Sequence, residues 1–472
     1  MAAQKNGLYA DFLTKIDQEF RDGFLSTDSH DLEIFGRDWT KVYTPAPSAI
    51  VFPRTTEEVS QFMRLCQANQ TAVVPSGGRT GLSGGAVAAH GEVVISFSKM
   101  QRIDPVDSLA QTVRVQAGAI TQAVHEHCAP HGLVWPVDFA SKGSSQIGGN
   151  ISTNAGGVRV IRYGLTRNWV LGLQVVTASG EILELNGALE KNQTGLDLRQ
   201  LFIGSEGTLG LITEATLKLA RLPGEAEVFF FALEGIPEIL KLFKNARAQS
   251  FLINAFEMLG DNCLQTVLRH RGAPSPFGTN APYYVLLEVE RPSSDDARAR
   301  LENWLASVFE QGLVKDGVLA QTPAEARKIW ELREGISEAV MTQSLVHKHD
   351  ISAPVSTLEP FIQDFLMKLK STYHGFELFL FGHIGDGNMH INIRKPDSLS
   401  KEAFLEECKS IDLSLFELVK THHGSVSAEH GIGLLKKNAL EYSRTPVEIE
   451  LMRKFKKLLD PGNLLNPGKI FD

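Results

Sequence analysis

At 472 residues the chain is long enough for two or three cores, and with 43% apolar and 22% charged side chains it has an ordinary globular composition. Its 47 basic and 55 acidic side chains give a formal net charge of -8, a balance that repels phosphate backbones and excludes nucleic acid as the expected partner. No apolar run reaches the roughly 18 residues that a bilayer span needs. Cys66, Cys128, Cys263 and Cys408 are scattered without a CxxC pair, which points to a reducing, cytoplasmic setting with no thiolate zinc site.

Taken in chain order, Leu8, Phe12, Ile16 and Phe20 predict an amphipathic N-terminal helix, whose Asp11, Asp17 and Glu19 are wrong for a transit peptide. From about residue 40 to 222, short β-branched runs alternate with glycine clusters: Ala72-Val73-Val74, Glu92 to Ile95, Val113 to Val115, Leu173 to Val176 and Glu181 to Leu185 read as strands, and Thr56 to Cys66 as a helix. Arg221 to Glu225 carries Pro and Gly and marks a boundary. Beyond it, Val228 to Leu233 and Tyr283 to Val289 read as strands, and Ala299 to Phe309, Pro323 to Leu345 and Leu358 to Leu369 as helices. The tail repeats turn chemistry, Asp460-Pro461-Gly462-Asn463 and then Asn466-Pro467-Gly468, which predicts a path over the surface.

The cluster Pro75-Ser76-Gly77-Gly78-Arg79-Thr80-Gly81-Leu82-Ser83-Gly84-Gly85 directly follows a strand. Its glycines let successive N–H groups converge on an anion and Arg79 adds charge, so a diphosphate is the natural guest; the spacing fits neither a Rossmann fingerprint nor a P-loop. Two more clusters, Ile147 to Gly157 and Gly204 to Gly210, combine glycine with small polar side chains, and three such loops predict a long polar cofactor.

PSGGRTGLSGG, IGGNISTNAGG, Tyr163-Gly164, GSEGTLGLIT and Leu465-Asn466-Pro467-Gly468-Lys469, in that order, resemble the FAD-binding family of vanillyl-alcohol oxidase type. The resemblance implies an α+β fold with a two-subdomain FAD-binding domain (PCMH type) over 1–222, its core beginning near residue 43. It also implies an α+β cap domain on an antiparallel sheet over 223–428, and a segment 429–472 that returns to the flavin. Pro75 to Arg79, Thr80, Gly81 and Ser83 to Gly85 would then hold the pyrophosphate. Ser144, Gly148, Gly149, Asn150, Thr153, Asn154, Gly156, Gly157, Tyr163 and Gly164 would line the flavin and its ribityl chain. Glu206, Gly207 and Ile212 would flank the adenine half, and Asn466 would lie near the isoalloxazine. Some members tether FAD through a His or Cys; residues 76–85 contain neither, which implies non-covalent FAD.

In the segment Phe381-Gly382-His383-Ile384-Gly385-Asp386-Gly387-Asn388-Met389-His390, Asp-Gly predicts a two-residue hairpin turn. That register sets His383 opposite His390, with Cβ atoms roughly 5 Å apart on one face, fit to grip a divalent ion. Asn392 shares the face, opposite Phe381. Glu429 in Ser427-Ala428-Glu429-His430-Gly431 completes a two-His, one-carboxylate set, with zinc the first choice and manganese or cobalt behind it. His430, pointing the other way, is the candidate general base, while His422 and His423 are read as a helix cap. HxGDGNxH followed by EHG resembles the 2-hydroxy-acid dehydrogenases of this flavin family, whose ligands and base map onto His383, His390, Glu429 and His430.

Arg333 and Ser337 sit four apart on an expected helix and Lys348 follows; two cations suit two carboxylates. WxLRExxSEA followed by KxDISxPV is similar to the D-2-hydroxyglutarate dehydrogenase branch, in which the matching Arg, hydroxyl residue and Lys contact substrate. The resemblance implies hydride transfer from D-2-hydroxyglutarate to flavin N5 with His430 as base, Asn392 also contacting substrate, and re-oxidation by an electron-transfer flavoprotein or quinone. D-lactate, glycolate or D-malate dehydrogenase is the alternative within the family, and a non-catalytic flavin-binding subunit of a larger complex the alternative outside it. A homodimer is compatible with the sequence.

Overall fold

The structure is a computed structural model that describes residues 2–342, 344–372 and 375–471, with residues 2–10 as backbone only. The chain divides into two compact units, one of residues 1–156, 165–222 and 429–472, the other of residues 157–164 and 223–428.

The first unit holds two four-stranded sheets and a two-stranded ribbon. The strands are β1 (Leu25–Ser26), β2 (Ala49–Val51), β3 (Val73–Ser76), β4 (Val93–Ser96), β5 (Thr112–Gln116), β6 (Leu133–Val134), β7 (Val170–Val176), β8 (Ile182–Leu185), β9 (Leu211–Lys218) and β10 (Ala220–Arg221). In the order β1-β2-β4-β3, the last three strands run parallel. Parallel strands need a crossover, and the helix Thr56–Asn69 supplies it between β2 and β3. Thr55 caps that helix by accepting the Glu58 N–H, and Val59, Phe62, Met63 and Cys66 make its buried stripe. Phe12 and Ile16 of the helix Ala2–Glu19 join the same core, each such buried side chain contributing roughly 1.5–3 kcal/mol. The second sheet, β5-β9-β7-β8, is antiparallel throughout.

The tail departs from the expected surface path. Leu465 bridges Val73 in parallel, Val73 N–H donates to the Leu464 carbonyl at 2.7 Å, and Asn466 N–H donates to the Val73 carbonyl at 2.8 Å. β3 is an edge of its sheet, and the apolar pair Leu464-Leu465 pairs with it and covers that edge. The Asp460 carboxylate accepts from the Leu464 and Leu465 N–H groups and pairs with buried Lys456, which locks the turn.

The second unit is built on one seven-stranded antiparallel sheet. Its strands are β11 (Ala226–Leu233), β12 (Ile253–Gly260), β13 (Tyr283–Glu290), β14 (Asp316–Leu319), β15 (Val346–Ser352), β16 (Glu377–Gly382) and β17 (Asn388–Arg394), in the order β14-β11-β13-β12-β16-β17-β15. The helix expected over 323–345 is two helices, Pro323–Glu334 and Ile336–Met341, broken at Gly335. A Cβ there would lie 2.8 Å from the Glu331 carbonyl. The four-residue spacing of Arg333 and Ser337 is therefore not a shared helix face.

The expected domain over 1–222 is interrupted, because residues 157–164 pack with the second unit. Arg159 pairs with Glu288 at 2.9 Å and Arg162 with Glu290 at 2.6 Å, both on β13. Gly157, Tyr163 and Gly164, expected beside a cofactor, belong to this segment.

Candidate active site

In the first unit, β3 delivers the chain into the glycine loop at 77–85, where Arg79 (φ 57) and Gly84 (φ 79) take the left-handed conformation. A Cβ on Gly78 would sit 2.2 Å from the Ser144 carbonyl, so only glycine allows the loop to approach residues 143–146. The Arg79 guanidinium lies 4.5 Å over the Phe35 ring. Ser83 Oγ donates to the His430 carbonyl at 2.8 Å and the Gly431 carbonyl at 3.0 Å, which tethers the candidate base to this loop.

Several expected cofactor contacts are already committed to the protein. The Glu206 carboxylate accepts from the Ile432 and Gly433 N–H groups at 2.7 and 2.8 Å, and burial pushes its pKa up. Asn150 Nδ2 donates to Thr121 Oγ1 at 2.7 Å, Asn154 Oδ1 accepts from Arg167 N–H at 3.0 Å, and Thr153 Oγ1 donates to the Gly149 carbonyl at 3.1 Å. These side chains shape the loops.

In the second unit, the histidine hairpin corrects the expected register. His390 on β17 pairs with Phe381 on β16, and Asn392 pairs with Phe379 rather than Phe381. The connection is a five-residue loop, His383 to Gly387, in which Asp386 N–H and Asn388 N–H both donate to the His383 carbonyl, at 3.1 and 3.3 Å. Tertiary packing explains the wider loop: Gly385 N–H donates to the Phe256 carbonyl on β12 at 3.3 Å, and a Cβ on Gly385 would lie 2.7 Å from Ile161. The slip is two residues, so every side chain keeps its face. His383, now at the loop entry, still has its ring 5.3 Å from that of His390, at 85°.

Each imidazole turns its Nδ1 edge toward a buried carboxylate. His383 Nδ1 lies 2.8 Å from Glu257 Oε1, and His390 Nδ1 lies 3.6 Å from Asp350 Oδ1, which Asn388 Nδ2 holds by a 2.9 Å hydrogen bond. Such partners select the tautomer that leaves Nε2 as the ligand atom. Glu257 is 1% exposed and its other oxygen lies 2.7 Å from Arg333 Nη2. Burial alone would raise its pKa, but the charges of His383 and Arg333 outweigh it and hold the carboxyl below the usual value. Sequence reasoning missed Glu257; the available signal was a lone acid in the apolar run Ala255-Phe256-Glu257-Met258-Leu259, a charge that needs partners.

Arg333 is buried under Phe381, its guanidinium 5.2 Å from the ring centroid. Its Nε and the Nδ2 of Asn392 are buried donors with no hydrogen-bond acceptor among the described residues. Lys348 on β15 is the cross-strand partner of Asn392, with burial pulling its pKa down. Ser337 is half-buried in the helix Ile336–Met341. Glu429 is half-buried and opens the last segment of the first unit, immediately after Ala428, whose N–H donates to the Asp350 carbonyl at 3.2 Å. His422 caps the helix Lys401–Thr421 and bonds Asp364 at 2.9 Å, apart from the histidine pair.

The pattern of FAD linked oxidases, C-terminal domain, matches residues 222–470, and that of an FAD binding domain matches residues 47–186. The chain belongs to the FAD-linked oxidase family. The D-2-hydroxyglutarate dehydrogenases of Stutzerimonas stutzeri (strain A1501) and Xanthomonas citri pv. viticola are 46% and 48% identical to it; each match spans 95% of this chain, and 96% and 94% of theirs. The mitochondrial D-2-hydroxyglutarate dehydrogenase of Bos taurus is 37% identical, over 95% of this chain and 81% of its own. Among solved structures, p-cresol methylhydroxylase with substrate bound aligns at TM-score 0.78 and 15% identity, over 99% of this chain and 97% of its own. The 4-ethylphenol oxidase from Gulosibacter chungangensis aligns at 0.76 and 16%, over 98% and 97%. These two show the α+β flavoprotein fold alone.

An FAD-linked oxidase needs donors and acceptors for a long polar cofactor, and the first unit has them. Ser76 Oγ, Gln146 Oε1 and Asn466 Oδ1 are buried with no hydrogen-bond partner among the described residues. Asn466 Nδ2 donates to the Gly85 and Glu206 carbonyls at 2.9 and 2.7 Å, which fixes the amide and aims its oxygen elsewhere. Buried orphan atoms of this kind fit a missing polar ligand. In the second unit, the paired imidazoles backed by carboxylates fit a divalent cation.

Proposed function

We propose that this FAD-linked oxidase is a D-2-hydroxyglutarate dehydrogenase that forms 2-oxoglutarate with non-covalent FAD and a divalent metal, zinc first, held by His383, His390 and Glu429. The observation that carries the substrate assignment is the buried Arg333, whose Nε lacks an acceptor, together with the Lys348-Asn392 pair. Two cations and an amide donor suit a dicarboxylate, and the relatives at 46–48% identity act on one by name.

The flavin supplies a two-electron acceptor when bound, and the metal a Lewis acid that acidifies a coordinated hydroxyl. The chain's own residues do the rest. Arg333, Lys348, Asn392 and Ser337 hold the substrate's carboxylates and orient C2, which removes much of the entropic cost of reaction. Glu257 and Asp350 keep the two imidazoles in register. Glu429, the carboxylate of the EHG sequence, is the proposed third ligand. His430, tethered by Ser83, takes the hydroxyl proton as hydride leaves C2.

Re-oxidation by an electron-transfer flavoprotein or a quinone and a cytoplasmic setting complete the reading, the latter supported by four scattered, buried cysteines. A dye-reduction screen of D-2-hydroxyglutarate, D-malate, D-lactate and glycolate tests it. Reduction fastest with D-2-hydroxyglutarate is the expected result. Equal rates with D-lactate overturn the dicarboxylate assignment, and yellow protein inert to all four favours a flavin-carrying subunit.

A further inference from the structure

We propose that His347, His349 and Asp412 form a second divalent-metal site, of the zinc class, on the face of β15 opposite Lys348. The sequence Val346-His347-Lys348-His349-Asp350 alternates along an extended strand, so the two imidazoles share one face while Lys348 and Asp350 share the other. The helix Lys401–Thr421 packs on β15 and brings Asp412 to the histidine face.

The geometry is that of three converging ligands. Asp412 Oδ1 lies 2.8 Å from His347 Nε2 and 3.4 Å from His349 Nε2, and one candidate ligand atom from each residue lies within 4.8 Å of the others. The rings stand at 89° with centroids 4.9 Å apart. Tetrahedral zinc with bonds of about 2.0–2.1 Å sets its ligand atoms about 3.3 Å apart. The His349 contact already has that spacing, and the His347 contact reaches it by opening about half an ångström.

Burial grades across the site as a three-ligand centre requires. The His349 side chain is 3% exposed and stands edge-on to Phe365 and Phe416, which fixes its ring. His347 and Asp412 are 22% and 18% exposed, which leaves an outer position for water. A plain His–Asp hydrogen bond accounts for one imidazole. The second imidazole presents the same Nε2 edge to that carboxylate oxygen from 3.4 Å, a convergence that a shared cation fits. An ion here ties β15, the sheet edge that carries Lys348, to the helix across its outer face. The site uses none of the residues assigned to the first metal.

The test is metal counting on the flavin-loaded full chain, stripped with chelator, reloaded with Zn2+ alone and desalted. Wild type is expected to retain two ions per chain, and His347→Ala, Asp412→Asn and His383→Ala one each, with flavin absorbance unchanged. Co2+ reloading should show two four-coordinate visible-band sets in wild type and one in each variant. Wild-type stoichiometry that survives both His347→Ala and Asp412→Asn overturns the proposal. Should His347→Ala lose its flavin through misfolding, the near-isosteric Asp412→Asn decides. Loss of an ion in these two variants but not in His383→Ala would sustain this site and overturn the first.

Discussion

Glu257 and His383, 126 positions apart in the chain, meet at 2.8 Å through Oε1 and Nδ1. The same carboxylate reaches Arg333, so one buried charge orients both a metal-ligand candidate and a candidate substrate-binding cation. Replacing it with Gln keeps the volume and removes the charge. Glu257→Gln is expected to weaken Co2+ binding at the His383 site by roughly 10–100-fold. Titration of metal-stripped protein, followed by the cobalt visible bands, reads this directly, and wild-type affinity in the variant would mean that Glu257 does not position His383.

Lys348 is expected to recognise the distal carboxylate. Losing a charge-assisted hydrogen bond costs about 1.5–3 kcal/mol, so Lys348→Met should lower kcat/KM for D-2-hydroxyglutarate about 10–100-fold. D-lactate, which lacks that carboxylate, should be far less affected. The ratio of the two kcat/KM values in each protein is the measurement, and a uniform loss would remove Lys348 from substrate discrimination.

His430 is tethered through its backbone carbonyl, so its side chain can be replaced without unstitching the loop. His430→Asn should lower kcat by about 10²–10⁴-fold with little change in KM, the mark of a group acting in proton transfer. Flavin content measured by absorbance should match wild type.

Lys469 gives a pH dependence with a defined sign. Burial first, and Lys437 nearby, pull its pKa from 10.5 to about 8, against the opposing pull of Glu92 and Glu206. Between about 8 and 10.5 the unfolded chain holds the proton that the folded chain has lost, so this residue makes stability rise with pH across that window. Below it, both states are protonated and the folded protein bears the whole penalty, roughly 3 kcal/mol. Urea melts from pH 7 to 10.5 should show Lys469→Met more stable than wild type at pH 7, with the gap closing as pH rises. A gap that does not vary with pH would contradict the shift.

Much of the candidate site's arrangement was legible because its residues lie close together in the chain. His383-x-Gly-Asp-Gly-Asn-x-His390 fits in one hairpin, and period-2 alternation keeps His390 and Asn392 on one face whatever the loop length. The loop length itself was not legible: Asp386-Gly387 favours a two-residue turn, and the docking of Gly385 on Phe256 and Ile161 overrides it. Gly335 likewise divides a continuous helical pattern where a Cβ would crowd the Glu331 carbonyl.

By itself the sequence determined which groups this chain brings: three glycine clusters suited to a long polar cofactor, an imidazole pair suited to a metal, and two cations suited to an acidic substrate. Only the tertiary structure decided who holds those groups in place. Glu257 on β12, Asp412 on the helix Lys401–Thr421, and Leu464-Leu465 closing the β3 edge act on residues far away in the chain. The reason is physical: turn preference and side-chain alternation are set by nearest neighbours. Burying a carboxylate or closing a sheet edge is favourable only once a distant segment arrives to pair with it.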